Sequence, residues 1–179
     1  MAKHTLIIIT DKFEEMEFVC PFDVLLRGGV SVTTAGRSGS SVVGFRGLRL
    51  QTDVKFSDIA AETYDCVVLV GGPGCYTLRG DEPLKNFLVR HSEAEKLLCA
   101  ICAAPLILHD AGLLQGKKHT AHPCTHDELT AAIATESVVA DGNLITGAGP
   151  GVAAKFAFKI LEHLTDKSTA DSTAKSMVL

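Results

Sequence analysis

Apolar positions along the chain fall into two kinds of run. The first kind is short and continuous. Residues 3–9, 30–35, 64–70 and 96–101 are dense in Val, Ile, Leu and Ala, the pattern of parallel strands buried on both faces. The second kind has helical spacing. A helix is predicted over 14–27 with its stop at Gly28-Gly29, and Pro21 inside it predicts a kink or a break. Further helices are predicted over 81–91 with Pro83 in the first turn, over 103–111, over 127–134, and over 152–164 with Phe156, Ile160 and Leu164 on one face.

The remaining stretches read as connections. Residues 42–50, interrupted by Gly44 and Gly47, predict a small hairpin, and 137–146 around Asp141-Gly142-Asn143 a second. Residues 53–63 read as a surface connection, 116–118 as a turn before a short strand ending in T-A-H-P at 120–123, and 147–151 as a loop. The tail 166–179 is rich in Ser, Thr and Ala and ends in Met177-Val178-Leu179, a tip able to dock. No repeat is present, and 1–179 reads as one domain. Strands alternating with helices predict an α/β fold, a doubly wound, mostly parallel sheet with helices on both faces. In such sheets the crevice lies beyond the carboxyl ends of the strands.

Composition narrows the function. The net charge is −4, from 17 basic and 21 acidic residues, and no basic stripe stands out, so nucleic acid is not an expected partner. No apolar run approaches a membrane span, and the first residues lack a signal-peptide pattern. Six cysteines then read as thiols of a reducing compartment, and a cytoplasmic location is expected.

One stretch carries candidate chemistry. Residues 97–105 read L-L-C-A-I-C-A-A-P, a strand that stops at Cys102 and turns at once into a helix. This is the geometry of a nucleophile elbow, and free N–H groups at the helix start would favour a thiolate. The alternative is a small buried hydrophobe, the usual state of a free cysteine. On the first helix, Phe13, Met16, Cys20 and Val24 share a face with Glu17, while Glu14 and Glu15 point elsewhere and can be solvated. A desolvated Glu17 would hold its proton near neutrality and act as acid, base or hydrogen-bond donor. If Pro21 rotates that face, Glu17 is merely solvated. Gly71-Gly72-Pro73-Gly74, at the end of a strand, could cradle a phosphate or stabilise an oxyanion, or be only a turn. These residues and His122 converge on one sheet edge.

The other cysteines and histidines invite rival readings. Cys99 and Cys102 form C-x-x-C, but Cys99 lies within the strand and should face the opposite side, against a thioredoxin-like pair. Cys75 borders the same crevice and is the better candidate for a resolving thiol, whereas Cys20 and Cys66 read as packing. His122, Cys124 and His126 have no paired ligand cluster elsewhere, so no metal and no cofactor are expected.

Five strings occur in order along nearly the whole chain: E-E-M-E at 14–17, V-L-V-G-G-P-G at 68–74, A-I-C-A-A-P at 100–105, T-A-H-P at 120–123 and G-P-G at 149–151. Together they resemble the ThiJ/PfpI superfamily, in its parkinsonism-associated (DJ-one) branch. The resemblance implies a flavodoxin-like sandwich that forms a homodimer, often through the first helix. It implies Cys102 as reactive cysteine, Glu17 as its protonated partner and His122 as the nearby histidine. The oxyanion amides would be those of Gly72 and Ala103, and the pocket would include Gly71, Gly74, Pro150, Arg27 and Arg46. It also implies one of several activities: a glyoxalase needing no glutathione, a deglycase of adducts, an oxidation sensor or a chaperone. The chain departs from the family pattern in a shortened glycine turn followed by Cys75, in Ala148 before G-P-G, and in Cys124 two residues after His122.

With a small reactive aldehyde as partner, such as methylglyoxal, Cys102 would form a hemithioacetal, the Gly72 and Ala103 amides would hold the oxyanion, and Glu17, aided or replaced by His122, would move the proton. In the sensor reading the same thiolate is oxidised to sulfenic and then sulfinic acid.

Overall fold

The computed structural model describes residues 3–179. Among these described residues there are nine strands: β1 His4–Ile9, β2 Ser31–Gly36, β3 Ser41–Val43, β4 Arg49–Gln51, β5 Val54–Lys55, β6 Cys66–Leu69, β7 Leu97–Ile101, β8 Val138–Asp141 and β9 Leu144–Gly147. Six α-helices accompany them: α1 Glu15–Arg27, α2 Phe56–Ile59, α3 Glu82–Glu93, α4 Pro105–Asp110, α5 Ala153–Leu164 and α6 Lys167–Ser176.

Seven strands form one sheet in the order β5-β2-β1-β6-β7-β9-β8, parallel except for β8 against β9. The small antiparallel pair β3-β4 stands apart. Alternate residues of each central strand feed opposite layers. Leu6 and Ile8 of β1, Val67 and Leu69 of β6, and Leu98 and Ala100 of β7 pack with α2, α3 and α4. Ile7 and Ile9, Cys66 and Val68, and Cys99 and Ile101 pack with α1 and α5. Both faces are covered, which is why these strands read as continuous apolar runs rather than alternating ones. The fold is the doubly wound, mostly parallel sheet that the sequence pattern predicts, in the flavodoxin-like form that the resemblance implies.

Several expectations need correction. The first helix runs through Pro21 without a break. Pro21 removes one backbone donor, yet Glu17, Phe18, Pro21, Val24 and Leu25 bury a shared face there, and that packing holds the helix together. The buried stripe is therefore shifted from the predicted one: Met16 is 52 % exposed, with Val19 and Leu26 beside it on the open side. Residues 53–63 are not merely a surface connection. Asp53 accepts from the Thr34 amide and hydroxyl at 2.8 and 2.7 Å, placing the two-residue edge strand β5. Phe56 and Ile59 of α2 are then buried one helical turn apart. So short a strand leaves no periodic signal.

The strand predicted to end at 120–123 is irregular backbone, and the helix predicted over 127–134 is a series of turns after a 3₁₀ turn at Pro123–Thr125. Leu129 alone among residues 127–134 is buried, too little to stabilise a helix. The tail docks as the helix α6, capped by Asp166 Oδ1 accepting from the Thr169 amide at 2.8 Å, with Ala170 and Thr173 buried. Met177 packs on the core, but Val178 and Leu179 are exposed. No helix among the described residues is long and apolar enough to cross a membrane.

Strand β1 lies between β2 and β6: the chain runs from β1 to β2 and β5 on one side, then crosses back to β6 on the other, and the turns after β1, β6, β7 and β9 gather at one edge. The crevice of a doubly wound sheet opens at such a point.

Candidate active site

Each wall of the crevice is placed by a backbone requirement. The turn after β1 is held by the Glu14 amide, which donates to the Gly71 carbonyl at 3.1 Å. Phe13 is buried just before it, and α1 starts at Glu15, so Glu17 faces inward in the first turn. After β6, Gly72 has φ +95°, and a Cβ there would lie 2.5 Å from the Glu14 nitrogen. Only glycine lets those two turns approach so closely.

Cys102 follows β7 with φ +66°, the left-handed region. A side chain is rarely tolerated there, and such strain concentrates at functional sites. Two hydrogen bonds hold it. The Cys102 amide donates to the Gly147 carbonyl at 2.8 Å, and its carbonyl accepts from the His122 amide at 2.9 Å. The side chain sits at the seam where both core layers meet.

Glu17 is fully buried. Its Oε2 accepts from the Gly71 amide at 3.0 Å, and its carboxyl lies beside the Cys102 thiol. Burial, with help from the charge of Glu14, raises its pKa from 4.5 to about 7, although the Cys102 and Gly71 hydrogen bonds pull it down. That net shift corresponds to about 3 kcal/mol favouring the neutral form. The N-terminal turn of α1 would favour a carboxylate by only ~0.3–1 kcal/mol, so desolvation wins. The apolar placement of Glu17 is the one the structure adopts.

The Cys102 thiol departs from the expectation of a thiolate favoured outright by the helix start. Burial first, then the charge and hydrogen bond of Glu17, push its pKa up, and the Gly72 and Ala103 amides only partly oppose this. The two groups form one titrating pair. While Glu17 is ionised the thiol keeps its proton. When Glu17 holds the proton, its charge is gone from beside the sulfur and its O–H can donate to it, so the second and third causes disappear.

A cavity of about 310 Å³ opens above the pair, lined by Glu14, Glu17, Gly72, Cys102, Ala103, His122 and Pro150 together with Phe45, Pro73, Tyr76 and Cys124. His122 Nδ1 accepts from the Cys124 amide at 3.2 Å, so in a neutral ring Nε2 carries the proton. His122 is then a donor toward the cavity rather than a base.

Other predicted pocket residues lie elsewhere. Gly71 backs the pair from below. Gly74 is buried in the 3₁₀ turn Pro73–Leu78, where a Cβ would strike the Asp11 carbonyl; its role is packing. Arg27 is at the far end of α1, exposed and paired with Asp23 at 2.8 Å. The helix carries it away from the crevice, and it is not a pocket residue. The Arg46 guanidinium lies over the Phe45 ring, 4.8 Å from its centroid, outside the lining. Arg46 contributes through its amide instead, which donates to Glu15 Oε1 at 2.6 Å. Glu15 is thus engaged with the hairpin loop rather than freely solvated.

Tyr76 and Phe45 were not apparent as pocket residues in the sequence. The one signal is an aromatic beside a glycine cluster, Y after G-G-P-G-C and F after Gly44. Cys75 is buried, and its thiol is pushed up to about 12, chiefly by burial, which removes it as a resolving thiol. Cys99 faces away from Cys102, with its Sγ 3.7 Å from that of Cys66. His126 Nε2 is engaged with the Ala121 carbonyl at 3.1 Å. No cluster of three or more His, Cys, Asp or Glu able to hold a metal occurs among the described residues.

The profile of the DJ-1/PfpI family matches residues 3–163. The chain belongs to the DJ-1/PfpI family. Within that family it is 38 % identical to Protein dj-1beta of Drosophila melanogaster, covering 100 % of this chain and 98 % of that protein. The crystal structure of that fly protein superposes with a TM-score of 0.96. The glutathione-independent glyoxalase DJR-1.2 of Caenorhabditis elegans is 34 % identical over 93 % of this chain and 90 % of its own length. A structure of Toxoplasma gondii DJ-1, described as oxidized, matches with 34 % identity and a TM-score of 0.93, covering 99 % of this chain and 98 % of its own.

Proposed function

We propose that this protein is a cysteine-dependent glyoxalase that converts methylglyoxal-type α-oxoaldehydes to 2-hydroxy acids without glutathione, and that aldehyde adducts are alternative substrates, as in a deglycase. The observation that carries this reading is the Glu17 carboxyl, its pKa raised by burial to about 7, beside a thiol at a strained elbow.

Cys102 Sγ adds to the aldehyde carbon, giving a hemithioacetal. The new oxyanion accepts from the Gly72 and Ala103 amides and takes the Glu17 proton. Glu17, now ionised, removes the C–H proton from the former aldehyde carbon and returns it to the neighbouring carbon, while the hydroxyl proton on the first oxygen passes to the second, leaving the thioester of a 2-hydroxy acid. His122 Nε2 donates to the second carbonyl oxygen as charge builds there. Water hydrolyses the resulting thioester, and the balance is one dicarbonyl plus one water to one hydroxy acid. The name of the C. elegans relative supports this chemistry.

The test is lactate formation from methylglyoxal by purified protein, without glutathione and in amine-free buffer. Turnover is expected in the wild type, with loss in Cys102→Ala and a fall of at least about 100-fold in Glu17→Gln. Unchanged turnover in Cys102→Ala overturns the proposal.

The partial exposure of Cys102 favours a second reading, an oxidation sensor that does not turn over, and the oxidized Toxoplasma relative points the same way. Selective sulfinate formation at Cys102 without lactate production would establish it. Chaperone activity that survives Cys102→Ser would instead mark a function independent of the site. We further infer a homodimer through the open face of α1, where Met16, Val19 and Leu26 are 52, 44 and 45 % exposed. Sedimentation of the wild type as a monomer would overturn that inference.

A further inference from the structure

The six thiols divide by location. Cys66 and Cys99 face each other inside the core, Cys75 is 1 % exposed, and Cys20 lies half-buried on α1. Among the described residues only Cys124 shares the cavity of Cys102, and Cys124 is exposed. Its backbone is tied to the elbow by two hydrogen bonds in series. The His122 amide donates to the Cys102 carbonyl at 2.9 Å, and the Cys124 amide donates to His122 Nδ1 at 3.2 Å. On the cavity side Tyr76 Oη stands 3.9 Å from Cys124 Sγ, a contact that orients the Cys124 side chain.

We propose that Cys102 and Cys124 are a reversible disulfide pair, closed by a hydroperoxide across the mouth of this cavity. The proposal rests on the reading of Cys102 as the reactive thiol. In the first step the Cys102 thiolate attacks one peroxide oxygen. The O–O bond breaks, Cys102 becomes a sulfenic acid, and the peroxide leaves as an alcohol, or as water from hydrogen peroxide. In the second step the Cys124 thiolate attacks Cys102 Sγ. The S–S bond forms, the S–O bond breaks, and hydroxide leaves, taking a proton to become water. The two thiols lose two electrons, and the peroxide gains them. A second peroxide reaching the sulfenic acid first would give the sulfinic acid, which small thiols do not restore. Cys124 therefore competes with over-oxidation, and Tyr76 is its positioning residue.

The test compares wild type, Cys124→Ser and Tyr76→Phe treated with tert-butyl hydroperoxide, read by intact mass and non-reduced peptide mapping. The wild type is expected to lose about 2 Da, to join the Cys102 and Cys124 peptides, and to recover with dithiothreitol. Cys124→Ser is expected to gain about 32 Da at Cys102 without recovery, and Tyr76→Phe to form the disulfide several-fold more slowly. Sulfinate formation in the wild type as fast as in Cys124→Ser, with Cys124 still reduced, overturns the pair while leaving Cys102 reactive. If Cys102 is not oxidised in any of the three, the pair falls, and methylglyoxal turnover of the same preparations shows whether the reactive-thiol reading falls with it.

Discussion

Gly71 and Glu17 are in direct contact: the Gly71 amide donates to Glu17 Oε2 at 3.0 Å, and a Cβ on Gly71 would lie 2.5 Å from that oxygen. The same Cβ would lie 2.7 Å from Cys102 Cβ and 2.8 Å from the Ile101 carbonyl. The absent side chain is what lets carboxyl and thiol meet. Gly71→Ala is expected to cost about 1–3 kcal/mol of stability by overpacking and to lower kcat at least tenfold. Urea unfolding and lactate formation check both; a variant equal to wild type in each would show that the pair tolerates separation.

Burial of Glu17 makes stability fall as pH rises. Below its ordinary pKa of 4.5 the carboxyl is protonated in folded and unfolded chains alike. Between 4.5 and about 7 the unfolded chain releases the proton first, so the folded state loses about 3 kcal/mol of relative stability, and above about 7 the loss is complete. Glu17→Gln cannot titrate, so the difference in stability between variant and wild type should shift by that amount in the variant's favour from pH 4.5 to 8. Urea unfolding across that range is the measurement, and a pH-independent difference contradicts the buried neutral acid.

Cys102 titrates as part of the same pair, so Glu17 should govern its reactivity. Burial and an ionised Glu17 both hold its proton, so the rate of Cys102 alkylation by iodoacetamide is expected to show its step above the ordinary thiol value of 9.0. In Glu17→Ala that acceptor and donor is gone while burial of the sulfur remains. With the charge and hydrogen bond of Glu17 removed, the step should move down by about one unit or more. A step at the same pH in both proteins would separate the two titrations.

Glu15 lies outside the lining of the cavity. Its Oε1 accepts from the Arg46 amide at 2.6 Å and anchors the hairpin loop that sets Phe45 against the cavity. Glu15→Ala is expected to raise KM for methylglyoxal several-fold while leaving kcat within about twofold, the signature of lost ground-state binding. A fall in kcat at constant KM would place Glu15 in the chemistry instead.

Arg79 links three parts of the wall. It donates to Asp110 at 2.6 and 2.8 Å and to Glu128 at 2.9 and 2.7 Å. It thereby ties the glycine turn to α4 and to the turns after His122. A shared bidentate network exceeds an isolated surface pair, and Arg79→Met is expected to lower Tm by roughly 2–4 °C at low salt and by less in 1 M NaCl, as about 3 Å screening sets in. Calorimetry at the two salt concentrations checks it.

The amino-acid sequence by itself determined the layered α/β plan, because both faces of β1, β6 and β7 are apolar and such runs can only be central parallel strands. It also carried the heart of the site. Cys102, Glu17 and the Gly71-Gly72 turn each sit within a few residues of a strand end, where local pattern already specifies direction. Tertiary structure decided what local pattern does not encode. Whether Glu17 was buried depended on α1 staying whole through Pro21, which is settled by its packing against α5. Arg27 left the pocket because the helix pointed its far end outward, and Gly74 proved to be packing because Asp11 runs against it. Tyr76, Phe45 and Cys124 entered the cavity from separate loops, and only the closure of the sheet brings those loops together. The proton balance between Glu17 and Cys102 was decided there too, since desolvation depends on every group that excludes water, and most of those are distant along the chain.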